Sequence, residues 1–286
     1  MLMKKIIINA DDFGIHDSVN SGIIDGFSRG CISSTTLMAG AGAFEQAVAL
    51  AADNPGLGLG VHLTLVGEVT VAPPAAVASL VDSNGRLPLE YSRFLQLFVA
   101  GRIRLADIRC ELEAQVKKVA ATGLPITHLD SHQHMHVVPG IIDIVIDIAK
   151  QFQIKAIRIP AEPICFLGGF PCNTGRFIGR GGLSVLASIA RGKARKAGIK
   201  TTDHFYGMLA GGNMTEPYLL AIINCLPFGT SEIMIHPGAD DSAMTNQYGW
   251  NYNWQAELAA VTSARLTSMF AEGQIKLITF GDLIHE

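Results

Sequence analysis

Residues 126–136 read Ile-Thr-His-Leu-Asp-Ser-His-Gln-His-Met-His, and four of the chain's nine histidines fall among them: His128, His132, His134 and His136. Asp130 lies in the same run. All five occupy even positions, so an extended backbone would turn them to one face. Such a row makes a poor core. Neutral imidazole together with carboxylate is the ligand chemistry of a divalent metal. The competing reading is a polar tract of incidental histidines, but the run is internal and follows a strand-like segment.

Three further places carry similar chemistry. Asp11 and Asp12 follow the apolar segment 4–10, His62 lies in a strand-like segment 57–65, and His236 closes the segment 231–236 just before Pro237 and Gly238. Acids ahead of a helix also serve as caps. Read as chemistry, the pair divides the labour: one carboxylate binds a metal and its neighbour takes a proton from metal-activated water. His62 opposite the histidine tract reads as a further ligand. His236 suits a general acid for a leaving group, with a structural strand-end histidine as the alternative.

These residues need a scaffold that brings them together across more than 200 positions. The pattern predicts strands at 4–10, 32–38, 57–65, up to the histidine tract, 156–160, 201–205, 231–236 and 276–280. Helices are expected at 18–29, 44–53, 89–100, 105–122, 139–153, 183–197, 215–225 and 254–272. Strand and helix alternate seven or eight times, which means a parallel sheet. At this length a distorted (β/α) barrel of seven or eight mostly parallel strands leads, and a doubly wound open sheet is the alternative. In either, the strand ends bearing these residues gather on one face. The charged face of helix 105–122 (Glu111, Glu113, Lys117, Lys118) reads as solvated surface. No linker or repeat divides residues 1–286, so a single domain is expected, with loop excursions at about 66–88 and 161–182. The second loop is rich in Gly and Phe, including Phe166, Phe170 and Phe177, and Trp250, Tyr252 and Trp254 could stack on a sugar ring, with aromatic packing under a loop an equal alternative.

Composition narrows the classes. The chain has 286 residues, is 49% hydrophobic and 16% charged, and carries a net charge of −3. That balance gives no case for nucleic acid. No run approaches the length of a membrane span, and the short apolar start running into Asp11 does not read as a signal peptide. Five scattered cysteines (Cys31, Cys110, Cys165, Cys172, Cys225) without a CxxC pair read as reduced thiols in the cytoplasm. Dinucleotide, P-loop and serine-hydrolase motifs are absent.

The segments Asn9-Ala10-Asp11-Asp12-Phe13-Gly14, Gly60-Val61-His62 and 128–136 resemble the signature blocks of the YdjC-like carbohydrate deacetylases, in order and with matching spacing. Residues 121–125, 157–160 and 203–205 and the strand ending at His236 look closest to the hopanoid-associated branch of that family. The resemblance implies a barrel related to polysaccharide deacetylases. It also implies metal-dependent removal of acetyl from an N-acetylated sugar, lipid-linked in that branch. Position by position, Asp12, His62 and His132 match the ligands of one divalent ion, Mg²⁺ or Zn²⁺. Asp11 matches the catalytic base and His236 the acid. His134 and His136 would then contact substrate or support the ligands, Arg158 would contact substrate, and a homodimer is compatible with the resemblance. Two other readings stay open: a barrel that binds sugar or glycolipid without hydrolysing it, and a metal-dependent phosphate-ester hydrolase.

Overall fold

The computed structural model describes residues 3–163, 166, 174–273 and 275–285. The chain opens with β1 (Lys4–Phe13), α1 (Asp17–Arg29), β2 (Ser34–Leu37), α2 (Phe44–Asp53) and β3 (Gly58–Leu63). A long connection with a 3₁₀ turn at Pro74–Val77 leads to α3 (Tyr91–Val99) and α4 (Leu105–Ala120). Next come β4 (His128–Ser131), a 3₁₀ segment His132–Val137, α5 (Ile141–Gln151), β5 (Ala156–Ile157) and α6 (Thr174–Lys196). The chain closes with β6 (His204–Tyr206), α7 (Glu216–Cys225), β7 (Gly229–Ile235), α8 (Asp241–Tyr248), α9 (Trp254–Val261), α10 (Ala264–Ala271), β8 (Ile275–Leu277) and α11 (Phe280–Leu283).

All the pairings between these strands are parallel, in the order β5-β4-β3-β2-β1-β7-β6. β8 joins the first residues of β1, on which β2 pairs only from Asn9 onward. The sheet curls until its edges meet: Lys200, ahead of β6, exchanges backbone hydrogen bonds with Lys155 and Ile157 beside β5. The expected distorted (β/α) barrel is therefore the fold. Helices cover its outside, and strands buried on both faces explain the continuous apolar runs. Along β1, Ile6, Ile8 and Ala10 join the main core, while Ile7 turns inward to Ala156, Ile278, Phe280 and Leu283. That inner cluster plugs one end of the barrel with apolar side chains.

Several sequence expectations need correction. β4 ends at Ser131, and Gln133 and His134 take positive φ of 53° and 58°. The histidines thus share an alternating face only over His128 and Asp130; beyond them the chain turns. Glu111 is buried rather than solvated. It accepts the backbone N–H groups of Val71 and Ala72 and so ties the long 66–88 connection to α4. Helix 254–272 is two helices, the first closing at Thr262 and the second capped by Ser263. Between the expected strand 231–236 and helix 254–272 lies an unexpected helix, α8, capped by Asp240. The last strand is shorter than expected, since Thr279 caps α11 instead of extending it. α6 begins at Thr174, inside the expected second loop excursion. Residues 164–165 and 167–173, with Cys165, Phe170 and Cys172, lie outside the described residues, as does the side chain of Phe177.

His128 belongs to the plug and not to a ligand set. Its ring stacks on Phe280 with centroids 3.7 Å apart. The space exists because residue 60 is glycine: a Cβ there would fall 2.5 Å from His128 Cε1. Burial pushes the imidazole down to about 3, so the folded chain keeps it neutral. The unfolded chain protonates it from pH 6.5 downward. His128's contribution to stability is thus complete above pH 6.5 and declines as pH falls toward 3, by up to about 1.4 kcal/mol per pH unit. His128→Phe should make the urea-unfolding free energy fall less steeply between pH 6.5 and about 5. An unchanged slope would mean that the ring is not held neutral.

Candidate active site

Above the plug the barrel interior turns polar. Inward positions carry Asn9 and Asp11 from β1, Thr36 from β2, His62 from β3, Asp130 from β4 and Glu232 from β7. Arg158 enters just after β5. Its backbone N–H continues the ladder to Leu129.

Adjacent strand residues normally face opposite sides. Here the β1–β2 register shifts between Ala10 and Phe13, and Asp12 adopts a φ of 66°. This bulge lets both Asp11 and Asp12 border the same cavity, a device that re-aims side chains beside sites. A non-glycine residue in that region carries strain, which the surrounding contacts must hold.

Asp12 Oδ1 lies 3.0 Å from His132 Nδ1 and 3.3 Å from His62 Nε2. The far side of His62 is fixed: Nδ1 donates to Asp130 Oδ1 at 2.8 Å. Thr36 Oγ1 donates to the other oxygen of Asp130 at 3.0 Å. Carboxylate–histidine pairs of this kind orient an imidazole for metal binding. Burial opposes charge on Asp12, but His132 and His62 outweigh it and hold the carboxyl well below its ordinary value. His62 shows the converse: burial works against its cation, yet Asp130 and Asp12 push it up to about 10.

A divalent ion fits this cluster. Separations of 3.0 and 3.3 Å match the edges, about 3.0–3.4 Å, of a coordination shell with bonds of about 2.1 Å. The three donors come together in one buried group. Among the described residues, this cluster also sets four buried carboxylates (Asp11, Asp12, Asp130, Glu232) against one permanent cation, Arg158. Such a surplus favours added positive charge, which would displace the proton of His62. Two nitrogens and one oxygen do not choose among Zn²⁺, Mg²⁺, Mn²⁺ and Co²⁺.

Arg158 is 0% exposed. Its Nη1 and Nη2 grip both oxygens of Asp11 at 2.6 and 2.7 Å. Nη1 also reaches Asp130 at 2.7 Å, and Nε reaches Glu232 at 2.6 Å. Its fork is committed to carboxylates and it does not line the cavity, which places Arg158 behind Asp11 where the sequence expectation had it meeting substrate. Asn9 donates a further bond to Asp11 at 2.9 Å. Burial pushes Glu232 up to about 7 in spite of Arg158, whereas Arg158 and His62 overcome burial and hold Asp130 well below the usual range.

The remaining histidines separate. His136 is buried with both nitrogens engaged, Nδ1 by Ser131 Oγ at 2.6 Å and Nε2 by the Arg158 carbonyl at 2.8 Å. It braces the backbone of Arg158 and is not placed for substrate. His134 borders the cavity, edge-on to Phe205. His236 stands at the end of β7, also on the cavity, 5.3 Å from the ring of Tyr252. Its Nδ1 has no hydrogen-bond partner among the described residues, and its backbone N–H is held by Glu257. Trp250 stacks over His132 with centroids 5.5 Å apart. These groups line one cavity of about 940 Å³. Its floor is Asp11, Asp12, His62, His132 and His236; its walls include Leu95, Phe98, Leu183, Leu186 and Trp250.

Comparison with known proteins bears on this arrangement. The family model described as YdjC-like protein matches residues 5–272. The chain belongs to the YdjC-like family. Among curated relatives of this YdjC-like chain, a carbohydrate deacetylase of Clostridium beijerinckii is 32% identical over 285 residues, covering 98% of this chain and 100% of its own. A chitooligosaccharide deacetylase of Yersinia pestis is also 32% identical over 285 residues, covering 98% and 99%. A solved structure from Enterococcus faecalis, of a candidate cellobiose-phosphate cleavage protein, superposes with a TM-score of 0.79 at 26% identity, covering 98% of this chain and 99% of that one.

Sequence reasoning missed Thr36, Glu232 and Glu257. Of these only Glu232 left a signal: a lone acid in an apolar strand must find a partner. Half-buried Glu68 was missed too; burial pushes its carboxyl up to about 7, within the field of His132 and Asp12. The Arg158 assignment has a direct test. Arg158→Met leaves three buried carboxylates without their cation and should cost about 3–5 kcal/mol of unfolding free energy in urea. A loss below about 1 kcal/mol would mean that the carboxylates do not depend on it.

Proposed function

We propose that this protein is a metal-dependent N-deacetylase of an N-acetylated sugar carried on an apolar aglycone, of the hopanoid-linked type that the sequence resemblance implies. The observation that carries the reading is the Asp12–His62–His132 cluster beside an Asp11 gripped by Arg158, both on one cavity floor. The deacetylases among the relatives support the reaction class. The apolar wall of α3 and α6 supports a lipid aglycone. Free thiols at Cys31, Cys110 and Cys225 fit a reducing cytoplasm.

A divalent ion at Asp12, His62 and His132 would lower the pKa of the attacking water and set positive charge against the developing oxyanion. Asp11 accepts the water's proton. A carboxylate has about four lone-pair sites. Arg158 and Asn9 occupy three of those on Asp11, leaving one toward the cavity. His236 delivers a proton to the departing amine, its position fixed through the Glu257 bond to its backbone. Trp250 and Tyr252 offer ring faces to the sugar.

A soluble oligosaccharide substrate is the second reading, favoured by the chitooligosaccharide deacetylases at the same identity as the other relatives. Acetate release from N-acetylated chitooligosaccharides and from an N-acetylglucosaminyl lipid, with stripped and reloaded protein, separates the two. Asp12→Ala should lose metal and turnover together. Asp11→Asn should keep metal, measured by elemental analysis, and lose about 10²–10⁴ in kcat. A near-wild-type rate for Asp11→Asn would remove it as the base, and acetate release from fully stripped protein would remove the metal.

A further inference from the structure

α6 differs in charge from the rest of the chain. In 23 residues it holds six Lys or Arg and no acid, within a protein of net charge −3. Cations in its last turn complement the helix dipole. That does not explain its outward face. Ala187, Ala190 and Ala194 are the buried side. Opposite them Val185, Ile189, Lys193 and Lys196 recur at i, i+4, i+8 and i+11, one stripe along the helix. Val185 is 58% exposed and Ile189 53%. Two acids answer the cations: Asp143 pairs with Lys193 and Asp203 lies 3.7 Å from Arg195. Lys196 has no acid beside it among the described residues, whereas Arg191 Nε and Nη2 are buried and take no part in the outward face.

The same helix supplies Leu183 and Leu186 to the cavity wall. Across that cavity stand two of the most exposed large apolar side chains among the described residues, Val99 at 84% and Leu89 at 75%. Apolar side chains flanked by cations on a helix are the pattern that lies on anionic lipid headgroups, where each basic residue adds about fivefold to binding. No helix among the described residues is long and apolar enough to cross a membrane.

We propose that the outward face of α6, with the Leu89 and Val99 rim, docks on an anionic lipid bilayer, so that the cavity mouth opens against the membrane surface. Entry of a lipid-linked sugar by that route rests on the glycolipid reading above; the docking itself does not.

The test is co-sedimentation of the full chain with vesicles of phosphatidylcholine alone and with vesicles carrying about one third phosphatidylglycerol. Binding is expected to the anionic vesicles and not to the neutral ones. It should weaken about tenfold at about 0.5 M salt, in Val185→Ser with Ile189→Ser, and in Lys196→Glu with Arg195→Glu. Acetate release from a soluble oligosaccharide should be unchanged in the Val185/Ile189 variant. Failure to bind either vesicle, equal binding to both, or wild-type binding by the variants would overturn the proposal. Vesicle binding without deacetylation of any substrate would overturn the enzymatic reading and leave the docking surface standing.

Discussion

One buried guanidinium governs the interior of this barrel. Arg158 has no contact with solvent and meets Asp11, Asp130 and Glu232, each contributed by a different strand. Ions so far from water are tolerated only when their partners are in place. The five hydrogen-bonding protons of Arg158 lie in a rigid plane. The fork therefore fixes not only charge but angle: Asp11 is held across both oxygens and cannot rotate away from the cavity. His136, with its Nε2 on the Arg158 carbonyl, fixes the backbone from which the fork projects.

The second tier rests on the first through Asp130. One oxygen of that carboxylate takes the Arg158 fork and Thr36, the other takes His62 Nδ1. His62 then presents Nε2 to Asp12, and Asp12 meets His132. A chain of contacts thus leads from the fixed cation to the candidate metal ligands. Asp11 and Asp12, neighbours in sequence, belong to different tiers. The register shift in β1 and the positive φ of Asp12 allow this, and without them one carboxylate would point away among the helices.

The alternation of strands and helices was legible because strands buried on both faces read as unbroken apolar runs. The cluster residues were legible because carboxylates and imidazoles at strand ends are conspicuous in such a chain. Their supports were not. Glu232 and Glu257 act across the barrel on residues 74 and 21 positions away, and no local spacing encodes that. The four histidines of the 126–136 run show the same limit. In sequence they look alike. In the fold His128 packs on Phe280, His132 meets Asp12, His134 borders the cavity and His136 braces Arg158. Backbone conformation separates them: the extended alternation ends at Ser131, and two left-handed residues send each later ring a different way. Glu111 misled for the opposite reason. Its i, i+4 neighbours look like a solvated face, but the loop it holds returns from 40 residues earlier.

Chemistry and selectivity are carried by different parts of the fold. The floor is built from strand ends whose side chains are locked to one another, so a change at one is felt at several. The walls come from α3, α6 and the 248–254 segment, which touch the floor at few points, chiefly Trp250 over His132 and Tyr252 beside His236. Tyr248, Trp250, Tyr252 and Trp254 follow one another as tilted rings with centroids 4.9, 5.7 and 5.5 Å apart, so buried Trp254 backs Tyr252 and Trp250, which border the cavity. The same cavity is lined by Leu95, Val99, Leu183 and Leu186 of α3 and α6. A sugar needs ring faces and polar groups close to the floor, whereas an apolar aglycone gains from every CH₂ removed from water, about 0.8 kcal/mol each. The cavity lining offers both environments. On the proposed glycolipid reading, a substrate with both a sugar and an apolar tail would be oriented by its own amphipathy before any residue of the floor engages it.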